Sequence, residues 1–260
     1  MKVVITGAGS GLGRALARHY AAQGAEVACA DIAPERAQET VAALPGAGHF
    51  AVAVDVGDEA SVEAMRDAVY ARMDHVDLLF NNAGVSSGGS MLEADLDEWR
   101  WMFEINVLGV VRGCRAFLPR MLERRAGHIV NTTSFAGLAA APVIMSYGAA
   151  KAAVVALSEQ LRAETHAKGV KVSVACPSFF KTNLIENFRG ADSMRRTASR
   201  LMEAATVTAD DIAAAIAASV QRGEFLIVPT GPERLRWRLK RWFPEFYFKQ
   251  LLKLAKARTH

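Results

Sequence analysis

Tyr147 and Lys151 stand four positions apart in the run Tyr-Gly-Ala-Ala-Lys. Four residues make about one turn of an α-helix, so the phenol and the ammonium project from one helix face. A cation fixed beside a tyrosine stabilises the phenolate and lowers its pKa. A tyrosine tuned in this way can exchange a proton near neutral pH, which an isolated phenol does poorly. The spacing alone also describes an ordinary exposed helical pair. The case for chemistry therefore depends on the rest of the chain, where Ser134 lies 13 positions upstream and a glycine-rich turn sits near the N-terminus.

That turn is Thr6-Gly7-Ala8-Gly9-Ser10-Gly11-Leu12-Gly13. It follows an apolar strand pattern and opens a helical one. Glycine permits tight turning and close backbone approach, and a helix N-terminus offers N–H groups to a pyrophosphate. Asp31 closes the second strand pattern, 18 residues after Gly13. A carboxylate there accepts hydrogen bonds from both hydroxyls of an adenosine ribose and repels a 2′-phosphate. Ser10 brings no cation, the basic residue nearest to Asp31 in the chain is Arg36, and Arg14 is expected on the first helical turn, pointing away. The turn thus reads as a site for NAD in preference to NADP.

Short apolar runs alternate with helical ones. Lys2–Thr6, Glu26–Asp31, His49–Asp55, Val76–Asn81, His128–Thr133, Lys171–Cys176 and Phe225–Val228 are rich in valine and isoleucine, as expected of strands covered on both faces. Between them, Gly11–Gln23, Pro34–Ala43, Glu59–Met73, Leu96–Arg124, Met145–Lys168 and Ala209–Gln221 have helical composition. Asp58 and Thr208 suit N-caps, and Pro34 suits a first helical turn. The alternation predicts an α/β fold, a doubly wound parallel sheet of about seven strands with helices on both faces. One domain spans 1–231 and includes a helical lobe at 181–206. That lobe carries Phe179, Phe180, Leu184, Ile185, Phe188, Met194, Leu201 and Met202 at or near it, a composition suited to an apolar pocket or to packing on the sheet. The loop Val85–Met91 is glycine-rich and is expected to be mobile beside the entrance.

The 260 residues carry three separated cysteines (Cys29, Cys114, Cys176) and six scattered histidines, which argues for buried free thiols and against a metal site. An apolar run begins at Met1, and no apolar stretch approaches a membrane span, so a cytoplasmic chain is expected, in solution or peripheral on the inner face of a membrane. The net charge of +4 is unevenly spread. The extension 232–260 has nine Lys/Arg against two Asp/Glu, a net of +7, whereas the other 231 residues carry 22 basic and 25 acidic side chains, a net of −3. Leu235, Leu239 and Trp242 share one helix face, as do Lys249, Lys253 and Lys256 beyond Pro244. Two amphipathic helices broken at Pro244 follow. Two uses of them stand side by side: peripheral contact with an anionic membrane, and packing against the lobe or a second subunit. The aromatics fall on a helix stripe and the basic segment is short, which argues against nucleic acid.

Taken together these motifs closely resemble the short-chain dehydrogenase/reductase family, in its single-domain branch, over about residues 2–231. The resemblance implies that Gly7, Ser10, Gly11, Leu12 and Gly13 bind the cofactor pyrophosphate and that Asp55-Val56 contacts the adenine. It implies that Asn81-Asn82-Ala83-Gly84 supports the sheet and lines the cofactor, through Asn82, Ala83 and Gly84. Asn106, Ser134, Tyr147 and Lys151 match the family's catalytic tetrad, and Thr182 looks like the threonine that touches the nicotinamide carboxamide. Where the family usually has Pro-Gly after the sixth strand, this chain has Pro177-Ser178, which implies a slightly different seat for the nicotinamide. In the implied roles Tyr147 exchanges the proton. Ser134 holds the substrate oxygen, Lys151 tunes Tyr147 and holds the nicotinamide ribose, and Asn106 holds a relay water. The implied activity is hydride transfer between NAD and a lipophilic secondary alcohol or ketone, of sterol, retinoid or long-chain type. A 3-oxoacyl-thioester reductase using NADPH and a non-catalytic nucleotide-sensing or scaffold protein are the alternatives. The family commonly assembles as homodimers or homotetramers through the helices at Leu96–Arg124 and Met145–Lys168.

Overall fold

The computed structural model describes residues 1–180, 188–190 and 192–256. In chain order the first half runs β1 (Lys2–Thr6), α1 (Gly11–Ala22), β2 (Glu26–Asp31), α2 (Pro34–Ala42), β3 (Phe50–Ala53), α3 (Glu59–Tyr70), β4 (Leu78–Asn81) and β5 (Ser87–Gly88). Next come α4 (Leu96–Phe103), a π-helical turn at Glu104–Leu108, α5 (Gly109–Arg124), β6 (Gly127–Thr132), α6 (Ala136–Ala139), α7 (Met145–Thr165) and β7 (Val170–Ala175). The chain closes with β8 (Arg189–Gly190), α8 (Asp192–Glu203), α9 (Ala209–Gln221), β9 (Leu226–Ile227), α10 (Gly231–Trp242) and α11 (Pro244–Lys256).

Seven strands pair in parallel in the order β3-β2-β1-β4-β6-β7-β9, which is the doubly wound sheet expected from the β-α alternation. The side chains alternate between two cores with the period of a strand. Val3, Ile5, Val27, Cys29, Leu78 and Phe80 face α1 and α9 residues such as Leu16 and Ile216. Val4, Ala28, Ala30 and Leu79 face Met65 of α3, Phe117 of α5 and Val154 of α7. Burial on both faces explains why these strands read as continuous apolar runs. The caps behave as their chemistry requires: Asp58 accepts from the Ala60 N–H, Thr208 and Asp211 form a reciprocal capping box, and Pro34 opens α2. All three cysteines are buried and free. No helix among the described residues is long and apolar enough to cross a membrane.

The strand order reverses between β1 and β4, so their C-terminal ends part and leave a crevice. Thr6 ties the two ends together. Its hydroxyl accepts from the Asn82 and Ala83 N–H groups at 3.0 Å each, and its carbonyl accepts from the Asn82 side chain at 3.0 Å. Beneath the crevice lies a buried polar chain. Asn81 donates to Asn131 Oδ1 at 2.9 Å, and Asn131 donates to Ser158 Oγ at 3.0 Å. It links β4, β6 and α7, the elements that carry the candidate site.

The loop after β4 differs from expectation. Ser87–Gly88 pairs with Arg189–Gly190 as a second, two-stranded sheet, and the Gly89 N–H donates to the Val143 carbonyl at 2.9 Å. The loop is thus fastened by backbone hydrogen bonds on both sides. Of the expected lobe, α8 is helical as its composition indicated, whereas Leu184 and Ile185 lie outside the described residues.

Asn131→Ala should leave the Asn81 amide and the Ser158 hydroxyl short of a partner in a dry interior, at a cost of about 1–3 kcal/mol. Urea unfolding with an unchanged slope and a lower midpoint is the expected result.

Candidate active site

The glycine turn is shaped by close contacts. Gly7 has φ +68°, and a Cβ on Gly13 would fall 2.0 Å from the Gly7 carbonyl oxygen. Neither position accepts a side chain, so the turn presents bare backbone at the start of α1, where the first N–H groups have no partner within the helix. The Asp31 carboxylate closes on this turn. It accepts from the Gly9 N–H at 2.8 Å and from the Ala33 N–H at 3.0 Å. Arg14 differs from expectation: it folds back on the turn, donating to the Gly9 carbonyl at 2.5 Å and to Thr40 Oγ1 at 3.0 Å. The guanidinium also pairs with Glu39 at 3.4 Å, so its donors are satisfied by the turn and by α2. Arg36 also reaches this place, since a Cβ on Gly9 would lie 2.8 Å from both Arg36 Cβ and the Asp31 carboxyl.

At the end of β3, Asp55 Oδ1 accepts from the Gly57 N–H at 2.8 Å, and the Val56 carbonyl accepts from Arg112 at 3.1 Å. Both stand on the same side of the sheet as the turn, at strand C-termini. Asn82, Ala83 and Gly84 follow β4. A Cβ on Gly84 would fall 2.6 Å from Asn106 Oδ1 and 3.3 Å from Lys151 Nζ, so these three groups share one small volume.

Asn106 is fully buried in the π-helical turn between α4 and α5. The extra residue of such a turn aims a side chain where a regular helix would not. Its amide grips one residue from both sides: Oδ1 accepts from the Val85 N–H at 3.1 Å, and Nδ2 donates to the Val85 carbonyl at 3.0 Å.

Ser134 follows β6, and its Oγ accepts from the Ala136 N–H at 3.1 Å. Tyr147 and Lys151 lie on α7, as their spacing required, with Lys151 Nζ 5.7 Å from the Tyr147 ring centroid. Ser134 lies close enough to Tyr147 to act on its phenol. The ammonium of Lys151 donates to the Thr132 carbonyl at 3.5 Å, and Thr133 Oγ1 donates to the Lys151 carbonyl at 2.8 Å. The electrostatics depart from the simple expectation of a phenol lowered by its neighbour. Burial pushes the Tyr147 phenol up, and the hydrogen bond with Ser134 opposes it. Burial pulls the Lys151 ammonium down to about 8, partly offset by the Cys176 thiol beside it. Desolvation is the larger cause of both shifts.

Pro177 sits where β7 ends, its carbonyl accepting from the Phe135 N–H at 2.8 Å. Among the described residues other than glycine, positive φ occurs at Arg125, Ala140 and Val143, so Ser178 takes the place of a glycine without left-handed strain. Thr182 lies outside the described residues.

Some contributors were hidden from sequence. Ser146, adjacent to Tyr147, donates to Glu98 Oε1 at 2.7 Å and shares a 2.8 Å hydrogen bond with Ser87. This buried triad ties the first turn of α7 to α4 and β5. Its members come from three distant segments, and no local spacing announces them. Val143, a β-branched residue at φ +61°, holds Gly89 through its carbonyl. Strain of this kind persists only where surrounding contacts over-determine the backbone.

The family model for the short chain dehydrogenases matches residues 1–193. The chain belongs to the short-chain dehydrogenase/reductase family. Over 182 residues it is 42% identical to meso-2,3-butanediol dehydrogenase of Serratia marcescens, covering 70% of this chain and 72% of that one. Over 243 residues it is 33% identical to 1-deoxy-11-beta-hydroxypentalenate dehydrogenase of Streptomyces exfoliatus, covering 90% and 85%. A solved structure of a family member from Burkholderia phymatum in complex with NAD superposes with a TM-score of 0.89 at 35% identity, covering 94% of each chain.

A family enzyme that oxidises an alcohol through this pair needs one proton to have left Tyr147 and Lys151 jointly. Below the pKa of that loss the pair holds both protons and has no place for the alcohol's. Because Lys151 is drawn down to about 8, kcat/KM for oxidation should rise with pH through that region, measured between about pH 6 and 10. A flat profile would dissociate the pair from the rate.

Proposed function

We propose that this oxidoreductase is an NAD-dependent dehydrogenase that interconverts a lipophilic secondary alcohol and its ketone. The reading rests above all on one observation. A phenol acted on by Ser134 has a buried ammonium 5.7 Å from its ring, and that ammonium lies near Gly84, which follows β4 at the point where the strand order reverses.

The turn fits a dinucleotide, because its bare backbone leaves N–H groups for a pyrophosphate. Gly7, Ser10, Gly11, Leu12 and Gly13 would hold the phosphates, Asp31 the adenosine ribose, and Asp55 with Val56 the adenine. Asn82, Ala83, Gly84, Tyr147, Lys151, Pro177 and Thr182 would hold the nicotinamide end. When bound, the nicotinamide supplies or accepts the hydride. Tyr147 Oη takes the proton from the alcohol, or returns it to the ketone. Ser134 Oγ donates to the substrate oxygen and steadies the charge that develops there. Lys151 carries the positive charge that favours the phenolate and exchanges its own proton with water. Asn106, with both amide groups on Val85, keeps a free lone pair beside Lys151 for that water.

The lipophilic preference is supported by Phe179, half exposed beyond Pro177, and by Leu201 on α8. The family relative named for butanediol acts on a secondary alcohol, which fits the same bond. The NAD preference is supported by the Asp31 carboxylate at the turn, with Arg36 as the competing influence. Assembly through α4–α5 and α7 as a homodimer or homotetramer belongs to the same reading, as does contact of the extension 232–260 with an anionic membrane from the cytoplasmic side.

Tyr147→Phe should lose about 10²–10⁴-fold in kcat while retaining NAD binding by fluorescence titration. Near-normal turnover in that variant would end the assignment. Asp31→Asn keeps an acceptor for the Gly9 N–H but removes the charge. Its kcat/KM ratio for NADP over NAD should rise at least about tenfold, as a like-charge repulsion is relieved. An unchanged ratio would assign cofactor choice elsewhere.

A further inference from the structure

The extension turns its apolar stripe away from the protein. On α10, Glu233, Trp237 and Lys240 share one side at helical spacing. That side is the attached one: Trp237 packs with Phe135, Leu138, Val174 and Val228, and Lys240 Nζ donates to the Leu138 carbonyl at 2.6 Å. Leu235, Leu239 and Trp242 lie on the opposite side. Further exposed apolar side chains follow on α11, spread around the helix. Leu235, Trp242, Phe243, Phe246, Phe248 and Leu252 are between 44% and 73% exposed. Arg234, Arg238 and Arg241 flank the α10 stripe on one side and Arg236 on the other, and Lys249 and Lys253 stand exposed on α11.

An amphipathic helix normally buries its apolar face against its own domain. Here the contacts that hold the helix use a different face, so the stripe needs another occupant. A second copy would set one +7 extension against another, which charge repulsion opposes. A surface that is negative and apolar just beneath satisfies both features. Arginine stems can lie along the apolar row while their heads reach phosphates.

The same helices touch the wall of the cleft. Tyr247 Oη donates to the Ala139 carbonyl at 2.9 Å, beside the Lys240 bond to Leu138. These carbonyls belong to α6, which starts two residues after Ser134 and backs onto the Lys151 backbone through Gly137. We propose that the outward stripe of α10, with the exposed apolar side chains of α11, docks on an anionic lipid surface, and that docking sets the α6 wall of the cleft against the lipid. The second half rests on the dehydrogenase reading: the lipophilic alcohol is then taken from the bilayer.

The full chain is tested with vesicles of phosphatidylcholine, with and without phosphatidylglycerol. It should sediment with the anionic vesicles, less so as salt rises, and little with phosphatidylcholine alone. Leu235→Glu/Trp242→Glu/Phe246→Glu should lower that partition at least about tenfold, with unchanged circular dichroism and an unchanged rate on water-soluble 2,3-butanediol. Lys240→Met/Tyr247→Phe should still sediment but should lose any rate gain on a long-chain alcohol dissolved in the vesicles. Equal sedimentation of wild type and the triple variant would overturn the docking. So would a triple variant that changes oligomeric state by sedimentation equilibrium without changing vesicle binding. Sedimentation as expected, with no alcohol oxidised by the wild type using either cofactor, would uphold docking and overturn the delivery of an alcohol.

Discussion

A lysine ammonium enclosed in a nearly dry cleft is the group that the surrounding architecture must tolerate. Lys151 is 5% exposed, and burial draws it from its ordinary value to about 8. That shift corresponds to roughly 3 kcal/mol of lost preference for the charged form. Among the described residues no carboxylate pairs with it. Its neighbours are weaker and neutral: a carbonyl of Thr132 at 3.5 Å and the ring of Tyr147. A carboxylate partner would have fixed the proton on the amine. Neutral partners leave it exchangeable, which is the property a proton relay needs. The two cores on either face of the sheet supply the stability that lets such a group persist.

Position matters as much as charge. The phenol stands in the first turn of α7, where helix ends fray most readily. Three devices restrain that turn. Ser146 is bonded to Glu98 and Ser87, the Met145 N–H donates to the Gly89 carbonyl, and Val143 accepts a strained backbone conformation to hold Gly89 in return. The loop between Ser134 and Tyr147 therefore stores strain next to the turn that carries the phenol. The π-helical turn serves Asn106 in the same way, by spending a regular hydrogen-bond pattern on one side-chain direction.

Much of this was legible in the sequence, and the exceptions have a common physical cause. The seven strands and their apolar alternation could be read because burial on both faces writes itself into local composition. The strand ends were read too long, as at His49–Asp55 against Phe50–Ala53, because composition does not mark where pairing stops: Val54 still donates to the Asp31 carbonyl, and Asp55 turns to the Gly57 N–H instead. The pairing of Ser87–Gly88 with Arg189–Gly190 carries no local signal: two-residue strands containing glycine are defined only by a partner about 100 positions away. For the same reason the glycine-rich loop seemed free. Tyr147 and Lys151 were found by spacing, which reports a shared helix face. Spacing says nothing of solvent, so the direction of both pKa shifts was out of reach. Arg14 likewise declared its helix but not its acceptors, which belong to Gly9 and Thr40.

The extension shows how one helix can answer two demands with two faces. β9 is only two residues long and is the last strand of the sheet, so its outer edge offers unpaired backbone groups to any passing strand. α10 runs past that edge: Arg234 donates to the Val228 carbonyl at 2.7 Å, and Trp237 packs on the cluster that includes Val174 and Val228. Covering the edge in this way requires the polar and aromatic side of the helix, since the groups to be satisfied are carbonyls. Leu235 and Trp242 are consequently turned outward, with Leu239 half-buried between them. The outward stripe is thus a geometric consequence of how the edge is closed. A helix that used its leucines to cover β9 would leave those carbonyls without donors and bury its arginines. Given this sequence, the arrangement that satisfies the backbone is the one that leaves an apolar row, bordered by cations, on the surface next to the cleft.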